Sequence, residues 1–195
     1  MKCDIILAGV GGQGILTIAA VIGHAALSCG LYLKQAEVHG MSQRGGAVES
    51  HLRLADKEIF SDLIPAGKAD LIIGVEPMEA LRYLPYLSSD GWLITNTTPV
   101  ENIPDYPPLE SILAEIEKLP HRVCFDADAA AKKVGNPRGM NIVIAGAASA
   151  FIDIPYEKIA GSVRAIFAGK GEDVVNKNLA ALQAGRDNYP VPGRI

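Results

Sequence analysis

A short apolar segment followed at once by a glycine-rich turn is the feature that most limits the fold of this sequence. The segment from Asp4 to Ala8 is typical of a buried strand, Gly9-Val-Gly-Gly-Gln-Gly14 follows it, and an apolar helix begins near Gln13. This order is the opening unit of an open α/β sheet, and its turn usually marks a ligand site. Glycines permit positive φ angles and close backbone approach, and helix N-terminal amides point toward an anion. We therefore predict an α/β fold with a candidate site at this turn.

The length and charge of the chain exclude several classes of function. Its 195 residues are enough for one domain, predicted to span 1–195, with residues 188–195 as an extended C-terminal tail. The net charge of −4 gives no basis for binding nucleic acid or an anionic membrane. The sequence shows neither a signal peptide pattern nor an apolar run that could span a bilayer. We therefore expect a cytoplasmic protein without a nucleic-acid or membrane partner.

The cysteines and histidines do not have the spacing of a metal site. Cys3, Cys29 and Cys124 are far apart and form no CxxC pair, which predicts reduced thiols and no zinc or iron–sulfur site held by this chain alone. His24 on an apolar helix and His51 in a strand are expected to be structural. No residue of the sequence stands out as catalytic.

Apolar patterning predicts a mixed sheet rather than a plain dinucleotide fold. The first helix is apolar nearly all round, so it should be buried on more than one side. After a second strand at 31–38, the segments Ala47–Leu54 and Lys57–Leu63 are expected to form a β-hairpin. Ala69–Glu76 is a nearly continuous apolar run, as in a central parallel strand. We predict a three-layer α/β/α fold with a Rossmann-like start, a mixed sheet and a β-hairpin after the second strand.

A polar loop before the hairpin is the second candidate site. It runs His39-Gly-Met-Ser-Gln-Arg-Gly-Gly46, and Arg44 between polar and small residues can bind a carboxylate or a phosphate through two hydrogen bonds. Such loops lie at the carboxyl edge of an open sheet, beside the glycine turn. Glu37 has a suitable spacing from the turn to bind a ribose. The predicted ligand- or partner-binding residues are Gly9, Gly11, Gly12, Gln13, Gly14, Glu37, His39, Met41, Ser42, Gln43, Arg44, Gly45 and Gly46.

The glycine turn has three interpretations that the residues alone leave open. Its glycines could serve only to pack the first helix tightly on the sheet, they could bind a phosphate-like ligand, or they could form a surface for a partner. Gly12 and Gln13 are unusual choices for a dinucleotide turn, and the hairpin lies where an adenine pocket would be completed. The motif is thus stronger support for an α/β opening than for a bound dinucleotide.

Three motifs together resemble a known family. Gly9-Val-Gly-Gly-Gln-Gly14, Glu37-Val-His-Gly-Met-Ser-Gln-Arg-Gly-Gly46 and Val48-x-Ser50-x-x-Arg53 are similar to the gamma-type component of 2-oxoacid:ferredoxin oxidoreductases, in particular to the small (beta) subunits of the indolepyruvate enzymes. The resemblance covers nearly the full length, including Ala69–Glu76 followed by Pro77. It implies a subunit of an enzyme complex that converts aryl 2-oxoacids to acyl-CoA and passes the electrons to ferredoxin.

The resemblance also implies where the cofactors lie. Thiamine diphosphate with Mg and the [4Fe-4S] clusters would be on a large (alpha) catalytic subunit, with coenzyme A as a candidate co-substrate and the isolated small subunit inactive. Arg44 would then orient a substrate carboxylate, a coenzyme A phosphate or a carboxylate at the subunit interface. Two alternatives remain from the residues themselves. One is a stand-alone NAD- or FAD-binding oxidoreductase, and the other is an assembly module that does not contact substrate.

Overall fold

A computed structural model describes residues 1–39 and 45–188 of the protein, with His39 described in its backbone only. Within those ranges the chain forms six strands in one sheet. They are β1 (Lys2–Val10), β2 (Tyr32–His39), β3 (Ala47–Ala55), β4 (Ala69–Gly74), β5 (Leu87–Asn96) and β6 (Arg122–Phe125).

The sheet is mixed, as the sequence predicts. Its strand order is β2-β3-β1-β4-β5-β6. β3 is antiparallel to both β1 and β2, whereas β1, β4, β5 and β6 are parallel. Two strands antiparallel to the same strand run in the same direction, so β2 ends at the edge where β1, β4, β5 and β6 end. The carboxyl ends of five strands therefore share one edge, the place where open α/β sheets bind ligands.

Seven α-helices cover the two faces of the sheet in the described residues. They are α1 (Ile15–Ser28), α2 (Pro77–Arg82), α3 (Leu109–Glu117), α4 (Ala127–Lys133), α5 (Met140–Ala148), α6 (Tyr156–Phe167) and α7 (Glu172–Asp187). Alternate residues of β1 point into two cores: Ile5 and Leu7 pack with α1 and α5, while Ile6 packs with α2 and α3. The α/β/α fold is thus confirmed.

The apolar first helix is buried on two sides, which confirms the expectation from its composition. One side of α1 packs on the sheet and the other contacts α6. Gly23 allows the approach to the sheet, because a Cβ atom there would lie 2.9 Å from the Cδ1 atom of Leu33. α7 packs on α5 in a similar way, so this face of the sheet carries helices in two tiers.

One part of the predicted hairpin is wrong. The antiparallel partners of β3 are β1 and β2, not Lys57–Leu63, which is not a strand. Side chains take up the polar backbone groups of this segment: the guanidinium of Arg53 donates to the carbonyl oxygens of Ser61 and Leu63 at 3.0 Å each. These carbonyl groups are bound by a side chain instead of by a neighbouring strand. The segment lies outside the sheet, and its Phe60 side chain is 87 % exposed.

Candidate functional site

The glycine turn lies at the carboxyl edge of the sheet and leads directly into α1. Gly14 is the N-cap of the helix with φ of 78°, none of the described side chains caps the helix, and its first turn contains no acidic residue. The free amides of such a helix start, together with the positive end of the helix dipole, favour an anion. The turn therefore has the local geometry of an anion-binding site.

Two glycines of the turn are required by packing. A Cβ atom on Gly9 would lie 2.3 Å from the Cγ2 atom of Val75, at the end of the neighbouring strand β4. A Cβ atom on Gly14 would lie 2.4 Å from the Nδ2 atom of Asn141, at the start of α5. Gly12 has φ of 102°, and a Cβ atom there would meet no described atom within 4 Å, so the backbone angle is what favours glycine at this position.

Gln13 has a structural role that the sequence does not reveal. Its Oε1 atom accepts a hydrogen bond from the backbone N–H of Val10 at 2.8 Å, and its Nε2 atom donates to the carbonyl of Val75 at 3.3 Å. The side chain thus links the end of β1 to the residue that follows β4, and it stabilises the turn by these two hydrogen bonds. This contact explains a glutamine at a position where dinucleotide turns rarely have one.

The structure brings the end of the polar loop next to the glycine turn. His39, Val48 and Gly9 occupy one row across β2, β3 and β1. The backbone N–H of Gly11 donates to the carbonyl of Gly46 at 2.8 Å. The predicted site residues Met41, Ser42, Gln43 and Arg44 lie outside the described residues, as does the side chain of His39.

Glu37 does not have the position of a ribose-binding acid in a dinucleotide fold. There the second strand adjoins the first. Here β3 lies between β1 and β2, which places Glu37 two strand spacings, roughly 10 Å, from β1. The side chain of Glu37 accepts a hydrogen bond from Gln35 at 3.4 Å. The arrangement therefore gives no support to the nicotinamide or flavin alternative.

A cavity beside the glycine turn contains cationic side chains that sequence reasoning missed. Its volume is about 530 Å³, and Thr17 of α1 and Asn141 of α5 line the side next to Gly14. The charged residues of the lining are Arg138, Lys170, Lys177 and Asp173, and Lys177 is paired with Asp173 at 2.6 Å. Three cations and one carboxylate leave an excess of positive charge. These residues are far apart in sequence, so no local pattern could identify them.

The described residues do not fit an iron–sulfur or other metal centre. Across residues 1–39 and 45–188, no three histidine, cysteine or acidic side chains are close enough to hold a metal ion. Burial, reinforced by the charges of Asp70 and Asp4, raises the pKa of the Cys3 thiol to about 12, so this thiol stays protonated. Cys29 is exposed at the end of α1, and Cys124 lies on β6.

Three other polar side chains, those of Asp126, His24 and His51, have structural roles. Asp126 caps α4, its Oδ1 atom accepting from the amide of Ala129 at 2.7 Å. The Nδ1 atom of His24 lies 2.9 Å from the Oγ atom of Ser162. His51 accepts a hydrogen bond from the amide of Ile64 at 3.0 Å.

Among the helices that the structure describes, none has the length and apolar character needed to cross a membrane.

Comparison with known proteins identifies the family. The model of the pyruvate ferredoxin/flavodoxin oxidoreductase family matches residues 4–188. The chain belongs to this family. It is 37 % identical to indolepyruvate oxidoreductase subunit IorB of Archaeoglobus fulgidus, a match that covers 100 % of this chain and 98 % of the relative. The resemblance inferred from the three motifs is thus confirmed.

Solved structures show the same fold in two settings. The gamma subunit of a keto/oxoacid ferredoxin oxidoreductase from Geobacter sulfurreducens matches with a TM-score of 0.68 at 24 % identity, covering 95 % of this chain and 97 % of that one. A 2-oxoglutarate:ferredoxin oxidoreductase from Magnetococcus marinus, solved with 2-oxoglutarate, coenzyme A and succinyl-CoA bound, matches with a TM-score of 0.75 at 18 % identity. That match covers 96 % of this chain but 31 % of the other, so there the fold is one part of a longer chain.

Proposed function

We propose that this chain is the small subunit of an indolepyruvate (aryl 2-oxoacid):ferredoxin oxidoreductase. The observation that carries the proposal is its end-to-end similarity to subunits of that name, at 37 % identity in Archaeoglobus fulgidus and 38 % in Pyrococcus horikoshii. The enzyme converts aryl-pyruvates to aryl-acetyl-CoA and transfers the electrons to ferredoxin. The isolated chain is expected to be inactive.

The redox cofactors belong to the large subunit in this proposal. Bound thiamine diphosphate, with Mg, supplies the decarboxylation chemistry, and [4Fe-4S] clusters supply electron transfer. The cysteines of the described chain are dispersed, and the buried Cys3 is held as a thiol, so their chemistry does not fit a cluster. The large catalytic subunit is therefore the expected partner, and ferredoxin interacts through the complex.

The part of the reaction assigned to this chain is binding of the phosphate groups of coenzyme A. The uncapped start of α1 lies at one side of the cavity, and Arg138 and Lys170 are exposed cations at another. Arg138 forms no ion pair with a described residue, and Lys170 lies over the ring of Phe167, 5.3 Å from its centroid. No carboxylate in the described part of the chain neutralises either cation, so both are available to an anionic ligand.

Arg44 is proposed to complete this site. Its guanidinium would bind a coenzyme A phosphate, the carboxylate of the 2-oxoacid, or a carboxylate of the large subunit. The hydrogen bond between Gly11 and Gly46 supports the proposal, because it ties the end of the polar loop to the glycine turn.

The first experiment co-expresses the chain with a candidate large subunit and measures aryl-pyruvate-dependent viologen reduction. Co-purification of an active, coenzyme A-dependent complex, with the isolated chain inactive, supports the subunit role. A yellow isolated chain, or one that quenches NADH fluorescence stoichiometrically, would instead support the stand-alone alternative. An Arg44→Ala complex that assembles with normal activity and normal coenzyme A dependence would show that the polar loop is not a functional site.

The cationic cavity is tested by Arg138→Ala and Lys170→Ala in the same complex. Each should raise the KM for coenzyme A about threefold, since an exposed charge contributes less than a buried one. The matched control is Lys118→Ala, which removes an exposed lysine paired with Glu115 on α3, on the other face of the sheet. If all three variants have the same KM, the cavity does not bind the co-substrate.

A non-catalytic assembly role has one observation in its favour. Tyr32, Phe60 and Leu63 are 51 %, 87 % and 54 % exposed, an unusual exposure for large apolar side chains. Such side chains suit a surface covered by another subunit. An assembly role alone predicts that Phe60→Ser weakens assembly, while the cavity variants leave the KM for coenzyme A unchanged.

A further inference from the structure

The loop that follows β5, residues 97–108, is fixed to the sheet by a buried carboxylate. Glu76 is fully buried at the end of β4. One of its oxygens accepts from the amide of Glu79 at 2.7 Å and so caps α2. The other accepts from the amide of Val100 at 3.3 Å and from the hydroxyl of Tyr106. Two points of the loop are thereby held at the carboxyl edge of the sheet.

The hydroxyl of Tyr106 is the donor in its hydrogen bond to Glu76. Burial raises the pKa of the Tyr106 phenol, and the hydrogen bond to Glu76 raises it further. The phenol therefore stays protonated near neutral pH and remains a hydrogen-bond donor.

The middle of this loop reaches the end of the polar loop. The Nδ2 atom of Asn102 donates to the carbonyl of Gly45 at 2.8 Å. The next carbonyl, that of Gly46, accepts from the backbone N–H of Gly11 in the glycine turn at 2.8 Å. Gly45 has φ of 80°, a conformation that other residues rarely adopt. Two successive carbonyls are thus held from opposite sides, one by Asn102 and one by the glycine turn.

The orientation of the Asn102 amide is set by the carbonyl of Gly45. The Oδ1 atom of Asn102 is buried and accepts no hydrogen bond within the described structure. A buried acceptor without a donor destabilises the fold. A rotated amide would place this oxygen against the carbonyl oxygen of Gly45, which is worse. The Nδ2 donor therefore points at the carbonyl of Gly45. Within the described residues, this is the hydrogen bond that the Asn102 amide makes.

We propose that Asn102 is a positioning residue for the ligand site at the glycine turn. Its hydrogen bond fixes the position of Gly45 and so the position of the following carbonyl, that of Gly46. The Gly46 carbonyl in turn holds the amide of Gly11 in the glycine turn. Glu76 keeps Asn102 in place by anchoring its loop. Asn102 acts through these glycines and need not touch the ligand. The inference rests on the proposed function only in naming coenzyme A as the ligand; the coupling of the two loops is independent of it.

The coupling is tested first by limited proteolysis of the full chain. Trypsin cleaves after arginine, so the Arg44–Gly45 bond is a cleavage site directly before the glycine that Asn102 holds. Asn102→Ala and the isosteric Asn102→Asp both remove the donor. Each should raise the cleavage rate at this bond about fivefold, the factor expected from one lost hydrogen bond. Asp105→Ala, an exposed position of the same loop, is the control and should leave the rate unchanged.

The consequence for ligand binding is tested in the complex with the large subunit. Asn102→Ala should raise the KM for coenzyme A about fivefold and leave kcat and the KM for the 2-oxoacid unchanged. A merely structural role would lower the amount of active complex without this selective change in KM. An unchanged cleavage rate overturns the coupling, and an unchanged KM with faster cleavage overturns the positioning role. A wild-type complex whose activity does not depend on coenzyme A overturns the proposed function. The proteolysis result still tests the coupling of the two loops in that case.

Discussion

The side-chain amide of Asn141 donates a hydrogen bond to the carbonyl oxygen of Gly14 at 3.2 Å, although the two residues are 127 positions apart in the chain. The contact joins the start of α5 to the N-cap of α1. Asn141 also lines the cationic cavity, so one side chain connects the glycine turn with the residues that sequence reasoning missed. The turn is therefore shaped by a distant helix as well as by its own glycines.

Replacement of Asn141 should affect both stability and ligand binding. Asn141→Ala removes two hydrogen bonds, the one to Gly14 and the one that its Oδ1 atom accepts from the amide of Ile142 at 3.0 Å. It should lower the free energy of unfolding by about 2 kcal/mol, measured by urea denaturation. Asn141→Asp should weaken coenzyme A binding further, because its carboxylate would face both the Gly14 carbonyl and an anionic ligand. Asn188→Ala is the control: it removes a similar bond, from Nδ2 to the carbonyl of Ala184, at an exposed site. Equal losses in Asn141→Ala and Asn188→Ala would contradict the role of Asn141 at the turn.

The sequence was sufficient to predict those elements whose information is local. The strand before Gly9, the apolar helix after Gly14 and the apolar strand within Ala69–Glu76 all follow from patterns within a few residues. The prediction of a mixed sheet was correct, but part of its reason was wrong. It relied on Lys57–Leu63, which has a strand-like composition but is not a strand. The partner of β3 depends on which strand lies beside it in space, and composition does not contain that information.

The parts of the candidate site that could not be predicted are those assembled from distant segments. Arg138, Lys170 and Thr17 meet only after α1, α5 and α7 have packed together. Asn102 lies in a proline-rich loop that has no motif, and its role depends on Glu76, a buried residue between β4 and α2 that anchors the loop. Gln13 was noticed as unusual, but its bond to Val75 requires the neighbouring parallel strand.

The crossing of α5 and α7 predicts a pair of glycine substitutions with opposite effects. A Cβ atom on Gly185 would lie 1.8 Å from the carbonyl oxygen of Val143, so the two helix backbones are in direct contact. Gly185→Ala must separate the helices and should cost about 3 kcal/mol. Gly161→Ala, in α6 with no atom within 4 Å, should instead stabilise the chain by about 0.5–1 kcal/mol. Urea midpoints of the two variants check the prediction, and a stable Gly185→Ala would contradict the close crossing.

Arg53, part of the third family motif, is predicted to support the fold. Its Nε and Nη2 atoms donate to the carboxylate of Asp4 at 2.8 and 3.1 Å, and Asp4 is 1 % exposed. Arg53→Ala would leave a buried carboxylate paired with Lys2 alone, and the free energy of unfolding should fall by about 3 kcal/mol.

A double-mutant cycle separates this loss from lost packing. Adding Asp4→Asn to Arg53→Ala should restore part of the stability, because the unpaired charge is removed as well. Strict additivity of the two substitutions, measured by urea denaturation, would show that the ion pair is not the cause. The carbonyls of Ser61 and Leu63 also lose their donor, so the segment around Phe60 should become more sensitive to chymotrypsin in both variants.

His51 should make stability depend on pH in the mildly acidic range. Burial lowers the pKa of its imidazole below the ordinary value of 6.5, against the opposing charges of Glu49 and Asp62. The neutral ring is favoured in the folded chain, where its Nδ1 atom accepts from Ile64 and its edge meets the ring of Tyr86. The unfolded chain therefore takes up the proton first as the pH falls. The stabilisation is complete above pH 6.5 and is lost as the pH decreases from there through the lowered pKa of the folded state.

The measurement that checks this effect compares urea midpoints at several pH values for the wild type and His51→Gln. Glutamine can still accept the hydrogen bond from Ile64, but it does not titrate. The variant should be somewhat less stable at neutral pH, since it loses the edge contact with Tyr86, and its midpoint should decrease less steeply with acidification. The two proteins differ only in the titratable side chain of His51. Parallel pH profiles would therefore mean that another group causes the acid sensitivity.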